Sequence, residues 1–177
     1  MHNQEFLNEY FSKHWTPGGD RGFSNPEKIA KLINDDEWLL DVGCGHNPFK
    51  GLVKNVVGID PAFTDADILT TIELYNPDRL FDVATCLGSI NFGDEITISD
   101  QIEKVVKCLK PTSRIFWRLN PGNADHNNQY VHMVPFFPWT FEILKSFANK
   151  HGYNQVNCQT ELNKRTFRLY TEWHRNT

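Results

Sequence analysis

Short apolar runs alternate along the chain with longer segments whose apolar residues recur at helical spacing, and this pattern predicts a strand-then-helix rhythm. Phe6, Leu7, Tyr10 and Phe11 predict a helix from about Gln4 to His14, which the segment from Trp15 to Gly22 breaks. Asn25-Pro26-Glu27 is a capping residue followed by proline and predicts a second helix to about Asn34, with Ile29, Leu32 and Ile33 on one face. Trp38 to Val42 and Asn55 to Asp60 fit strands buried on both faces of a parallel sheet. Ala66 to Leu69 is a brief third strand and Phe81 to Leu87 a fourth. Ile98, Ile102, Val105, Val106 and Leu109 predict an amphipathic helix that stops at Pro111 and returns to a fifth strand, Arg114 to Leu119.

After an irregular stretch from Asn120 to Pro138, a helix is expected from about Thr140 to Lys150. Two strands follow, Tyr153 to Thr160 and Thr166 to Trp173, joined by the polar turn from Glu161 to Arg165. So close a join cannot hold a parallel crossover, which makes the pair antiparallel. The expected fold is one α/β domain over residues 1–177: a Rossmann-like doubly wound sheet, mostly parallel, closed by a C-terminal antiparallel hairpin, with residues 1–34 as an N-terminal helical segment. The links around the second and third strands are too short for full helices, and Gly51 interrupts the link after Pro48, so single turns are expected there.

With 177 residues, 40% of them hydrophobic and 23% charged, the chain suits a single globular domain. No run approaches the roughly 18 apolar residues of a membrane span, and the start Met1-His2-Asn3-Gln4-Glu5 is unlike a secretory signal, so a cytoplasmic protein is expected. A net charge of −4 does not favour nucleic acid as a partner, and Lys145, Lys150, Lys164, Arg165, Arg168 and Arg175, all in the last third, are expected on a solvated face or else in a local basic patch. Cys44, Cys86, Cys108 and Cys158 form no CxxC pair, which predicts reduced, mostly buried thiols and no metal site.

The segment Leu40-Asp41-Val42-Gly43-Cys44-Gly45-His46-Asn47-Pro48-Phe49 places an acid and a glycine turn at the end of the first parallel strand, the edge where open α/β sheets bind ligands. Asp60 ends the second strand roughly 20 residues beyond Asp41, where a carboxylate accepts from both ribose hydroxyls of an adenosine-containing cofactor. NAD enzymes share that device, but here the GxGxxG spacing is absent and an acid precedes the first glycine. Together with the element order from about Glu37 to Trp173, these motifs resemble the class I methyltransferases, in particular the small single-domain type found in phages and bacteria.

The resemblance implies S-adenosyl-L-methionine as cofactor. Gly43, Cys44 and Gly45 would pass beneath its methionine half and ribose, where a Cβ would collide with it, and Asp41 would act at the methionine end through the ammonium group or a water. Asn47 stands where the family has a third glycine and either takes left-handed geometry or caps the short helix begun by Pro48. Asp60 would hold the ribose and Pro61 would pack on the adenine. Asp67, with Ile68 beside it, would meet the adenine amino group or else cap a turn. Leu87 or Gly88 would offer the ammonium a backbone carbonyl, while Ser89 and Asn91 face the acceptor or merely form a turn. The segment from Cys86 to Gly93 lacks the Asp/Asn-Pro-Pro-aromatic signature of enzymes that methylate nucleic-acid amino groups.

The long segment from Asn120 to Phe137 lies where the family's acceptor loop does, and an unstructured stretch of that length in a compact domain points to function. Within it, His126 with Asp125 either takes a proton from an acceptor hydroxyl or amine or is an ordinary surface histidine. Trp15 and Arg21 either close over the cofactor, with Arg21 on its carboxylate, or belong to a surface linker. No lid domain is inserted, which leaves a site open to a macromolecular acceptor or to completion by a second subunit of a homo-oligomer. Methyl transfer to an unidentified acceptor is the expected activity. The competing readings are a non-catalytic S-adenosylmethionine or nucleotide-binding module that serves as an assembly or regulatory partner, and a nicotinamide-dependent oxidoreductase.

Overall fold

The structure is a computed structural model that describes residues 3–16, 21–163 and 166–176. Helix α1 (Gln4–Lys13) is capped by Asn3, whose side chain accepts from the Phe6 N–H at 3.1 Å. Helix α2 (Pro26–Ala30) is capped by Asn25 and has Pro26 in its first turn, as its sequence signal predicts. It is shorter than expected. The Leu32 and Ile33 amides turn back to the Ile29 and Ala30 carbonyls, the Glu37 carboxylate takes the Asn34 N–H at 2.7 Å, and Leu32 is left half exposed instead of sharing a face with Ile29.

Seven strands form one sheet: β1 (Trp38–Val42), β2 (Asn55–Asp60), β3 (Ile68–Leu69), β4 (Phe81–Leu87), β5 (Leu109–Leu119), β6 (Tyr153–Asn163) and β7 (Thr166–Arg175), in the order β3-β2-β1-β4-β5-β7-β6. The β1, β2, β3, β4 and β5 pairings are parallel, whereas β7 runs antiparallel to both β5 and β6. This is the mostly parallel sheet with a closing hairpin that the sequence predicts. Helix α3 (Glu95–Lys107) follows its Asp94 cap, and α4 (Phe141–Lys150) its Thr140 cap. Among the described residues only turns link β1 to β2, β2 to β3 and β3 to β4, as the short spacings require.

Strand β5 begins five residues earlier than expected, because Pro111 does not end the pairing. Phe81 pairs with Leu109 and Val83 with Arg114, so Pro111 lies inside an irregularity where its missing N–H breaks no ladder bond. Beyond it β5 alternates faces. Ile115, Trp117 and Leu119 enter the large core with Trp139, Leu144 and Trp173 beneath α3 and α4, and Phe116 joins Ile29, Leu39, Val83 and Tyr170 on the other face. Arg118 therefore shares the face of Phe116, at the carboxyl edge of the sheet. A third cluster holds α1 in place through Leu7, Tyr10, Phe92 and Val134.

Trp139 is almost fully buried, and its indole N–H donates to the Ile90 carbonyl at 2.9 Å, tying α4's entry to the loop after β4. Trp139→Ala should cost about 3–5 kcal/mol through lost burial and the cavity it leaves. Trp139→Phe should retain most of that burial and lose the hydrogen bond's share of about 1 kcal/mol. Urea denaturation followed by circular dichroism checks both values.

Candidate functional site

A cavity of about 580 Å³ opens at the carboxyl edge of the parallel strands, the position that open α/β sheets use for ligands. Of the residues predicted for the site, Asp41, Gly43, Cys44, Gly45, Asp60, Pro61, Leu87, Gly88, Asn91, Asp125 and His126 line it, and so do Trp15, Arg21 and Ser89. Asn47, Asp67 and Ile68 do not. The Asp67 carboxylate instead accepts from the Gly58 N–H at 2.9 Å and the Asn47 amide at 3.3 Å, and pairs with Lys50. This network anchors the turn behind the cavity. Asn47 takes the left-handed conformation expected of it, with φ 55°.

The two acids at the strand ends are held differently. Asp60 accepts backbone N–H groups from Gly45 at 3.0 Å, Ala62 at 2.7 Å and Phe63 at 3.1 Å, so one side chain closes the turns after β1 and β2. Asp41 is 2% exposed, and its Oδ1 accepts from the Thr85 hydroxyl at 2.7 Å while Oδ2 is buried without a hydrogen-bond partner. Burial pushes its carboxyl up to about 7, with Asp60 adding to the effect and Thr85 and Arg21 opposing it.

The glycines serve two different needs. A Cβ on Gly43, at φ 68°, would fall 2.2 Å from the Ser89 Cβ, so the turn after β1 packs directly on the loop after β4. The expected collision with cofactor is therefore preceded by a collision with the protein. A Cβ on Gly45, at φ 55°, would meet nothing within 4 Å, which leaves the space above it to the cavity it lines.

The acceptor-side residues are tied down. The Asn91 amide donates to the Gly88 carbonyl at 2.9 Å and its oxygen accepts the Asn120 N–H at 2.9 Å, joining the loops after β4 and β5. Asp125 accepts both Nη groups of Arg168, at 2.7 and 2.8 Å, and the Thr166 hydroxyl. Burial works against its charge, but Arg168 and Thr166 outweigh it and hold the carboxyl down at about 2. His126 Nδ1 lies 2.7 Å from the hydroxyl of the fully buried Tyr10, whose oxygen also accepts from Asn128 at 2.9 Å. With Asn128 donating, the Tyr10 hydrogen turns to Nδ1, and a neutral His126 ring then carries its proton on Nε2.

The sequence reading missed the cationic wall. Arg168, expected on a solvated face, is 4% exposed, and it lines the cavity beside Arg118 and Asn163. Arg118 donates from Nε to Glu161 at 3.2 Å and from Nη2 to Asn163 at 3.1 Å, while Glu161 also accepts from the Ser24 hydroxyl at 2.6 Å. Burial, with Arg21 and Arg168 close by, pushes the Arg118 guanidinium down to about 10. The available signal was a single charge in each of two otherwise apolar strand stretches, Phe116-Trp117-Arg118-Leu119 and Phe167-Arg168-Leu169-Tyr170. Lys164 and Arg165 lie outside the described residues. Thr70, Ile72, Glu73 and Gln101 also line the cavity without having been foreseen; Gln101 donates to Glu73 at 2.6 Å and its own carbonyl oxygen is buried without a partner.

No protein-family model matches the chain, and no curated protein sequence matches it. Its structure is similar to that of Burkholderia thailandensis 1,6-didemethyltoxoflavin-N1-methyltransferase, crystallised with 1,6-didemethyltoxoflavin and S-adenosylhomocysteine, at a TM-score of 0.72 and 12% identity over 98% of this chain and 86% of that one. Magnesium protoporphyrin IX methyltransferase from Synechocystis with bound S-adenosylmethionine superposes with a TM-score of 0.69 at 10% identity, over 99% of this chain and 98% of that one. The N-methyltransferase NodS from Bradyrhizobium japonicum, in complex with S-adenosylhomocysteine, gives 0.64 at 14% identity over 87% and 90% of the two chains. In sheet order, antiparallel closure and cavity position, the chain has the Rossmann-like fold of the class I S-adenosylmethionine-dependent methyltransferases.

Proposed function

We propose that the chain binds S-adenosyl-L-methionine in this cavity and transfers its methyl group to an acceptor bound beside it. The observation that carries the reading is Asp41: a buried carboxylate oxygen without a partner, at the end of β1, in the same cavity as Asp60 and the open face of Gly45. An ammonium group supplies the missing partner for Asp41, and a ribose supplies hydroxyl donors for the lone pairs that Asp60 has left after its three backbone bonds. Neighbours of the same fold that hold S-adenosylmethionine or S-adenosylhomocysteine support the choice of cofactor. The non-catalytic and nicotinamide readings have no corresponding observation.

The bound cofactor supplies a methyl group already activated on a sulfonium, so the protein's task is alignment. Asp41 and Asp60 fix the donor, and the Asn91 bridge between the loops after β4 and β5 fixes the floor on which an acceptor rests. Asp125 acts as a positioning residue: bound to Arg168, it holds the loop that carries His126. His126 is the group nearest this loop able to relay a proton when the acceptor loses one. Phe11, Phe92 and Phe136 line the same cavity and give it an apolar side.

S-adenosylhomocysteine at a hundredfold excess over its dissociation constant should stabilise the protein by about 2.7 kcal/mol, and NAD should give no shift. A thermal shift with NAD alone would overturn the reading, and radiolabelled methyl transfer over an acceptor panel tests turnover. Gly45→Ala should still fold, at a cost of about 1–2 kcal/mol for its left-handed conformation, yet bind S-adenosylhomocysteine poorly. Gly43→Val should fail to fold, because its side chain runs into Ser89. Circular dichroism beside calorimetry separates the two effects.

The Asp41 carboxyl gives a pH signature. Its value in the folded protein, about 7, lies above the ordinary 3.8, so the ligand-free protein should lose stability as pH rises from about 4 to about 7, and Asp41→Asn should remove that slope. An ammonium partner favours the carboxylate, so binding expels the proton. Affinity for S-adenosylhomocysteine should therefore fall roughly tenfold per unit below about pH 7 and level off above it. Calorimetric titration across this range checks the slope, and a flat profile would remove Asp41 from the ammonium site.

A further inference from the structure

We infer, on the reading that this cavity transfers a methyl group, that its acceptor is a small organic acid with a flat apolar body whose carboxylate sits on Arg118 with Arg21 beside it. Arg118 has five N–H donors, and its protein partners use only Nε and Nη2. Its remaining donors have no protein partner among the described residues, although the side chain is only 13% exposed and lines the cavity. Arg21 lines the same cavity and makes no hydrogen bond or ion pair among the described residues. Arg168 is different. It spends its fork on Asp125 and also donates to the Phe167 carbonyl, so it braces the wall and leaves ligand recognition to its neighbours.

On this wall Arg21, Arg118 and Arg168 stand beside two carboxylates, Asp125 and Glu161, and Glu161 is shared with the Ser24 hydroxyl and N–H, while Asp41, Asp60 and Glu73 line the cavity from the ends of β1 and β2 and the turn after β3. A planar guanidinium fork matches a carboxylate geometrically, and an enclosed wall strengthens the attraction over its value in water. The unused Arg118 donors, with Arg21 beside them, fit a small anion that enters the site.

The apolar body is implied by the opposite wall. Phe11 packs on Phe92 with ring centroids 5.1 Å apart, Phe92 on Phe136 at 5.6 Å, and Phe11 on Trp15 at 5.7 Å, and all four line the cavity. Asn163 joins the two walls: it accepts from Arg118, and its amide lies 3.5 Å from Asp125, the neighbour of His126. A ring held by the aromatics with its acid group on Arg118 would span this short chain of contacts. The carboxylate could come from either the cofactor or the acceptor. Arg118 lies on β5, two strands away from Asp41 on β1, and its partner Asn163 reaches Asp125 in the segment that carries His126, which assigns Arg118 to the acceptor, while Arg21 feels both Asp41 and Glu161 and stands between the two.

The test uses the full chain saturated with S-adenosylhomocysteine and titrated with benzoate, with benzamide and acetate as controls for charge and for the ring. Benzoate should raise the melting temperature of the complex, and the two controls should do so far less. Arg118→Met should weaken benzoate at least roughly tenfold while S-adenosylhomocysteine affinity stays within about twofold. Because that variant strips buried Glu161 of a cationic partner and can cost the fold, Arg21→Met is run beside it. The Arg21 side chain makes no hydrogen bond or ion pair among the described residues, and its loss should also weaken benzoate. Arg79→Met, on an exposed turn, should change nothing. Equal binding of benzoate and benzamide would overturn the inference. So would competition between benzoate and S-adenosylhomocysteine, with Arg118→Met weakening S-adenosylhomocysteine but not 5′-methylthioadenosine, which has no carboxylate. A complex that forms with S-adenosylhomocysteine but refuses benzoate sinks the acceptor class alone, whereas failure to bind S-adenosylhomocysteine sinks the methyltransferase reading with it.

Discussion

Parallel strands that end on one edge leave the backbone N–H groups of the loops that follow without ladder partners, and the cavity exists because side chains, not further backbone, meet that need. Asp60 takes N–H groups from both the β1 and β2 turns, and Asn91 takes that of Asn120. Each of these bonds holds a loop back from the space above the strand ends. Remove Asp60 and three amides at the rim lose their acceptor together, so the carboxylate suited to a ribose is also the one that keeps the pocket open. Binding and folding share this residue, and its loss would be felt in both.

The cavity is polarised along its length. At one end Asp41 sits buried beside Thr85, short of a partner and reluctant to ionise; at the other, burial, with Arg21 and Arg168 nearby, presses the Arg118 guanidinium below its ordinary range. Asp41 has one oxygen without a partner and Arg118 has donors beyond its Glu161 pair. On the proposed reading, a zwitterionic donor beside an anionic acceptor would satisfy both, and binding free energy would be expressed where the groups are least satisfied. Arg168 and Asp125, already paired, do not contribute to that difference and serve as framework.

The order of elements along the chain and the glycine turn were legible in the sequence because they follow from local signals, whereas the spatial order of the strands was not among them. Short apolar runs such as Leu39-Leu40 fit buried strands of a parallel sheet, and the close join of the last two strands excludes a crossover. Which acid faces the pocket was not legible. Asp60 and Asp67 both end strand-like runs, yet Asp60 lines the cavity and Asp67 turns to Gly58, Asn47 and Lys50, because β3 is only two residues long and its neighbours need anchoring. Arg118 and Arg168 were missed for a related reason. Their burial depends on a pairing across β5, β7 and β6 that brings Glu161 and Asp125 to them from more than 35 residues away in sequence, and spacing carries no trace of such a contact.

The segment from Asn120 to Phe137 shows how the short links elsewhere shape the site. With only turns between β1 and β4 among the described residues, the cavity has no helix from that half of the sheet to roof it, and α1 takes that place. Tyr10 and the His14 carbonyl bind His126 and Asn128, while Arg168, Asn91 and the bonds from Gly93 to Pro135 and from Phe137 to Asn91 hold the rest of the segment. A stretch that reads as a free loop is thus fastened to α1 at one end and to the sheet at the other. It forms a wall of the cavity, and the Tyr10–His126 and Asn128–His14 bonds tie that wall to α1. The N-terminal helix, which looks dispensable as a sequence, is in this arrangement one of the elements that place His126 at the cavity.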